Sequence, residues 1–91
     1  MHIDIVNQPT AEQLKALNVN QWPIWEKEVS SFPWTYDMEE VCYILEGKVT
    51  VTVADTNQAV ELSAGQLVSF PKGMVCHWDI TLPVKKYFKF S

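Results

Sequence analysis

The 91-residue sequence predicts an all-β barrel or sandwich with one short helix near its start. Three observations carry that expectation. Beyond Trp22, short apolar runs follow one another closely, with turn-forming residues between them. In one of them Val49, Val51 and Val53 alternate with Thr50 and Thr52, the period of two of a half-buried strand. Only one segment carries a helix signature, at about residues 10–17.

That segment begins Thr10-Ala11-Glu12-Gln13, a capping-box pattern, continues through Leu14 and Leu17, and meets a stop at Asn18. So short a helix suits a lid or strap. Before it, His2 lies in a terminus expected to fray and to leave the ring in solvent. Ile24 to Val29 mixes apolar and charged residues, as an edge strand does. Phe32 to Tyr36 is aromatic-rich, and Pro33 restricts it to an edge or an irregular segment. Val41 to Leu45 is an apolar run that the Glu46-Gly47-Lys48 turn signal should end, ahead of the Val49–Val53 strand. After the turn Asp55-Thr56-Asn57-Gln58, Val60 and Leu62 flank Glu61 on the way back. Gly65 separates that strand from Leu67 to Phe70, and Pro71-Lys72-Gly73 turns the chain into Cys76 to Ile80. Leu82-Pro83 should divide this from a last strand, Val84 to Phe90. The expected organisation is one domain over 1–91, with the barrel at about 22–91.

Composition removes several function classes. Hydrophobic residues are 47% and charged residues 20%, the balance of a globular chain rather than a disordered one. Four Trp add apolar area that a domain this small needs for its core. No apolar run approaches the roughly 20 residues that cross a bilayer, and the first residues lack a basic, then apolar leader. No membrane partner and a cytoplasmic location are expected. Net charge is −4, and all seven basic residues are Lys, which argues against a nucleic-acid partner. The cluster Lys85, Lys86 and Lys89 is too small to change this. Without Arg there is no bidentate clamp for phosphate or carboxylate. Cys42 and Cys76 are expected to be buried, reduced thiols rather than a disulfide framework.

Two frames carry a family resemblance. Glu40 stands seven residues before Gly47, and Gly65, Pro71 and Gly73 recur at fixed spacing before Cys76. They resemble the two motifs of the cupin superfamily, G-x5-H-x-H-x3,4-E-x6-G and G-x5-P-x-G-x2-H-x3-N. The match covers about residues 32–80 and implies a single-domain cupin, a jelly-roll-type β-barrel. Trp22-Pro23-Ile24-Trp25 is similar to a segment of the very small cupins grouped with ureidoglycine aminohydrolase. The metal ligands of the motifs do not carry over. The first-motif histidine positions fall on Pro33 and Thr35 or on Trp34 and Tyr36, the second-motif histidine on Cys76, and the terminal Asn on Ile80. Glu40 alone keeps its identity.

Strand alternation then sorts the candidates. If the motif's Glu40 points inward, so do Cys42 and Ile44, while Val41, Tyr43 and Leu45 point out. An inward Cys76 brings Trp78 with it and turns His77 and Asp79 outward. A buried Glu40 without a cation would serve as a proton donor or hydrogen-bonding group, met by Tyr36 or Thr35. The resemblance implies a divalent metal, and thiolate donors would favour zinc over manganese or iron, with Glu40 and Cys76 as ligands and Cys42 or Tyr36 as a third. Two assured donors fall short of the three that tight binding needs, so no tightly bound metal is expected. The favoured function is binding of a small-molecule ligand by Glu40, Cys76, Tyr36, Trp34, Cys42 and Trp78, around a degenerate metal site and with no assigned catalytic residue. The alternatives are a metal-dependent enzyme acting on a small nitrogen-containing metabolite and a non-catalytic interaction domain. Both faces of Val41–Leu45 are apolar, so the outer one calls for cover by the helix, by Trp22–Trp25 or by a second copy in a homodimer.

Overall fold

The computed structural model describes residues 1–91. In chain order it contains β1 (Asp4–Asn7), α1 (Ala11–Ala16), a 3-10 turn (Val19–Gln21), β2 (Ile24–Lys27), β3 (Ser30–Thr35), β4 (Glu40–Val53), β5 (Ala59–Ser63), β6 (Gln66–Phe70) and β7 (Val75–Phe90). All strand pairs are antiparallel, in the order β1-β6-β4-β7-β2, with β3 added to β7 and β5 to β4. No helix is long and apolar enough to cross a membrane.

The capping box forms as its residues dictate. Thr10 Oγ1 accepts from the Gln13 backbone N–H at 3.1 Å, and Gln13 Oε1 accepts from the Thr10 N–H at 2.7 Å. Asn18 takes the left-handed conformation, φ 56°, that ends the helix. The helix buries no residue of its own.

Two sequence-based expectations fail in an instructive way. Glu46-Gly47-Lys48 is not a turn between strands, and Leu82-Pro83 does not divide two others. Glu40–Val53 and Val75–Phe90 are single long strands that pair with each other along most of their length. The breakers fall opposite one another. Between Ile44 and Val49 the register slips repeatedly, and Gly47 adopts φ 105°. A Cβ at Gly47 would lie 2.4 Å from the Pro83 carbonyl oxygen, so the two strands touch there as closely as backbone allows. The residues that usually stop a strand instead bend both strands at a common corner.

Each long strand therefore serves two sheets. The first part of β4 pairs with β6 and the last part of β7, and β2 and β1 complete that sheet at its edges. The second part of β4 pairs with β5 and the first part of β7, which also holds β3. The core lies between the sheets and includes Cys42, Ile44, Val49, Val51, Val53, Leu62, Val68, Phe70 and Ile80. The slips in register switch the inward set of β4 from Glu40, Cys42 and Ile44 to Val49, Val51 and Val53. The short strand β1, in the stretch expected to fray, adds an edge to β6.

Candidate functional site

Alternation places the site residues as the side-chain period requires. Glu40, Cys42 and Ile44 are buried, and so are Cys76 and Trp78, while His77 and Asp79 face solvent. His77 Nε2 lies 2.6 Å from Ser31 Oγ on the outer face. His2 is exposed beside Asp4.

Between the sheets lies a cavity of about 150 Å3, lined by Trp25, Phe32, Trp34, Tyr36, Glu40, Trp78, Lys86, Phe88 and Phe90. Four of the six residues expected to touch a ligand line it, namely Trp34, Tyr36, Glu40 and Trp78. Cys42 and Cys76 do not, being packed into the core as free thiols. The walls are a connected set of rings. Trp78 stands edge-on to Trp25 at 6.0 Å and stacks on Phe32 at 6.2 Å, and Tyr36 stacks on Phe70 at 4.8 Å. Trp34 and Phe90 are about two-fifths exposed and mark the open side. The Trp22–Trp25 segment was one of the candidates to cover the outer face of Val41–Leu45, but Trp25 does not lie there. It instead pairs with Lys86 across β2 and β7 and joins the cavity lining.

Lys86 is the cavity residue that sequence reasoning missed. Its Nζ donates to Glu40 Oε2 at 2.8 Å, and both side chains are buried, at 6% and 4% exposure. The ammonium also lies 4.6 Å from the Trp78 ring centroid and 4.9 Å from that of Trp25. Glu40 is thus not a buried carboxylate without a cation, and the proton-donor role expected of it gives way to an ion pair. A signal was present. In Val84-Lys85-Lys86-Tyr87-Phe88, Lys86 shares a strand face with Val84 and Phe88, so a solvated Lys86 would have turned two large apolar residues outward with it.

Two buried polar atoms have no hydrogen-bond partner, Tyr36 Oη and Trp78 Nε1. Burial, reinforced by the nearby Glu40 charge, pushes the Tyr36 hydroxyl above its usual range, so it stays protonated. Burial likewise pushes the Cys42 thiol up to about 12, opposed by Lys86. It raises the Cys76 thiol too, opposed by the Trp78 side chain. The Cys76 Sγ donates weakly to the Trp34 carbonyl at 3.6 Å. Neither thiol is poised as a nucleophile.

A family model for the EutQ-like cupin domain matches residues 14–88. The chain belongs to the EutQ-like cupins. Among solved structures, this cupin is similar to a DUF861 family protein from Thermotoga maritima, with 50% identity and a TM-score of 0.94 over 99% of this chain and 100% of that one. It also resembles the EutQ protein of Clostridium difficile, at 21% identity and a TM-score of 0.66, over 74% of this chain and about half (52%) of that one. A putative ethanolamine utilization protein Q from Salmonella typhimurium gives 17% identity and a TM-score of 0.67, over 99% of this chain and 69% of that one. At such identities the last two show the fold alone. No match was found among curated proteins.

The metal of typical cupins does not fit the side chains of this one. No three His, Cys, Asp or Glu residues come together, and Glu40 already holds an ammonium. Tight coordination needs at least three donors free of such a competitor. The charge that a metal would bring next to Glu40 is supplied here by Lys86.

Proposed function

We propose that this cupin binds a small, largely apolar molecule in the aromatic cavity beside the Glu40–Lys86 pair. One observation carries the reading: a cavity of about 150 Å3, seven of whose nine lining residues are hydrophobic, includes in its lining Tyr36 and Trp78, each with a buried polar atom that has no hydrogen-bond partner. Buried polar groups in folded proteins are nearly always satisfied, so the Tyr36 hydroxyl and Trp78 N–H favour an occupant with complementary atoms. A cavity of that size holds about one benzene ring. Ligand sites of this kind are mostly apolar, with a few polar groups that fix orientation.

Trp25, Trp34 and Trp78 all line the cavity, so indole fluorescence reports on its contents. Single-ring compounds titrated at up to millimolar concentration should change that emission and raise the unfolding temperature together. If none of them does either, the cavity is packing space and the reading fails. The alternative, metal-dependent hydrolysis of a small nitrogen-containing metabolite, draws on Glu40 and on the Trp22–Trp25 likeness to ureidoglycine aminohydrolases. Lys86 weakens it by occupying Glu40. Stoichiometric zinc, manganese or iron retained after reconstitution and dialysis would restore it.

A further inference from the structure

The cavity's polar groups define its ligand more narrowly, on the premise that the cavity is a ligand site. Its only cation and its only anion already neutralise each other, Lys86 Nζ against Glu40 Oε2 at 2.8 Å. A ligand carboxylate would bring a second negative charge beside Glu40 with no second cation to meet it. A ligand ammonium would face the mirror problem, because Lys86 already lies against the faces of Trp25 and Trp78. Either ion would have to shed its water without an unpaired counter-charge, which is costly in so apolar a site. The occupant is therefore neutral.

The same groups specify its polar atom. An ammonium has three N–H donors, and Lys86 makes one side-chain hydrogen bond. Trp78 Nε1 can only donate, and Tyr36 Oη has a hydrogen to give. Both atoms left without a partner can thus be met by an acceptor on the ligand, and the rings around them favour a flat body about one ring in size. We infer that the site takes a neutral planar carbonyl compound, its ring among Trp25, Phe32, Trp78 and Phe88 and its carbonyl oxygen accepting from Lys86 and Trp78.

Four probes of one ring size separate the possibilities: toluene, benzamide, benzoate and benzylammonium. Benzamide should bind roughly tenfold or more tighter than each of the other three, as expected for an acceptor meeting a charged donor. In a 1H–15N spectrum the indole N–H signal of Trp78, assigned by its loss in Trp78→Phe, should shift with benzamide and much less with toluene. The double variant Glu40→Gln/Lys86→Met, which removes both charges together, should still bind toluene and should bring benzamide down to toluene's level. Should that variant not fold, the wild-type affinity order and the Trp78 signal decide the matter alone. Preference for benzoate or benzylammonium, parity of benzamide with toluene, or an unmoved Trp78 signal would overturn the carbonyl assignment while leaving the cavity a ligand site. Absence of binding by all four would overturn both.

Discussion

The two halves of β4 do opposite things with the same backbone. Beyond the Gly47 corner, Val49, Val51 and Val53 face inward with Leu62 and Ile80, and Val51 stands opposite Trp78. Before it, Glu40, Cys42 and Ile44 face inward, and Glu40 meets a lysine from β7 beside a cavity. The valine half is held by dispersion and by exclusion of water. The ionic half carries a desolvation cost that only its own partner offsets. One half of β4 is thus given to packing, while the other carries a buried ion pair beside a cavity.

The sharpest way to break that contrast is to strand one charge. Lys86→Met should cost about 3–5 kcal/mol, because it leaves Glu40 buried and unpaired. The double variant with Glu40→Gln should recover most of that loss, and urea midpoints of the two variants measure the difference. In the valine half, Leu62→Ala should cost about 2–5 kcal/mol by opening a hole beside Val49, with no second-site rescue of that kind available. At the corner, Gly47→Ala should cost about 1–3 kcal/mol in backbone strain, more if Pro83 cannot give way. A temperature melt, read by near-ultraviolet dichroism, resolves this.

The thiol at the floor of the ionic half gives a pH-dependent test. The Cys42 thiol sits near 12 when folded, against 9.0 as its ordinary value. The unfolded chain therefore releases this proton first as pH rises. Its contribution to stability is complete below pH 9 and is lost progressively as pH climbs toward 12. Cys42→Ala should lower stability at pH 7 through lost packing, yet flatten the alkaline decline of the urea midpoint. The smallest effect is expected outside the barrel: His77→Ala should move stability by no more than about 0.5 kcal/mol, since the ring is exposed and its contact with Ser31 lies on the outer surface.

What could be read in the sequence follows the same division. The valine alternation, the capping box and the inward parity of Glu40, Cys76 and Trp78 are local patterns, and local sterics enforce them. Gly47 and Pro83 were misread because each marks a bend only through the other, and no single stretch of sequence contains both. Lys86 entered only as one member of a small basic cluster, because its partner lies 46 residues away. The alternation Val84-Lys86-Phe88 could have revealed its burial. The two cysteines were correctly turned inward, but parity cannot distinguish a core position from a cavity wall.

The shared corner also limits how the chain can be cut. Both sheets hang on β4 and β7, so severing the backbone near Gly47 would divide a strand that each sheet needs, and neither fragment could close a core by itself. A cut at the Asp55–Gln58 turn would instead spare both corner strands. Because so many partners are distant in sequence, the barrel should assemble late and in one step, as slow-folding β topologies do.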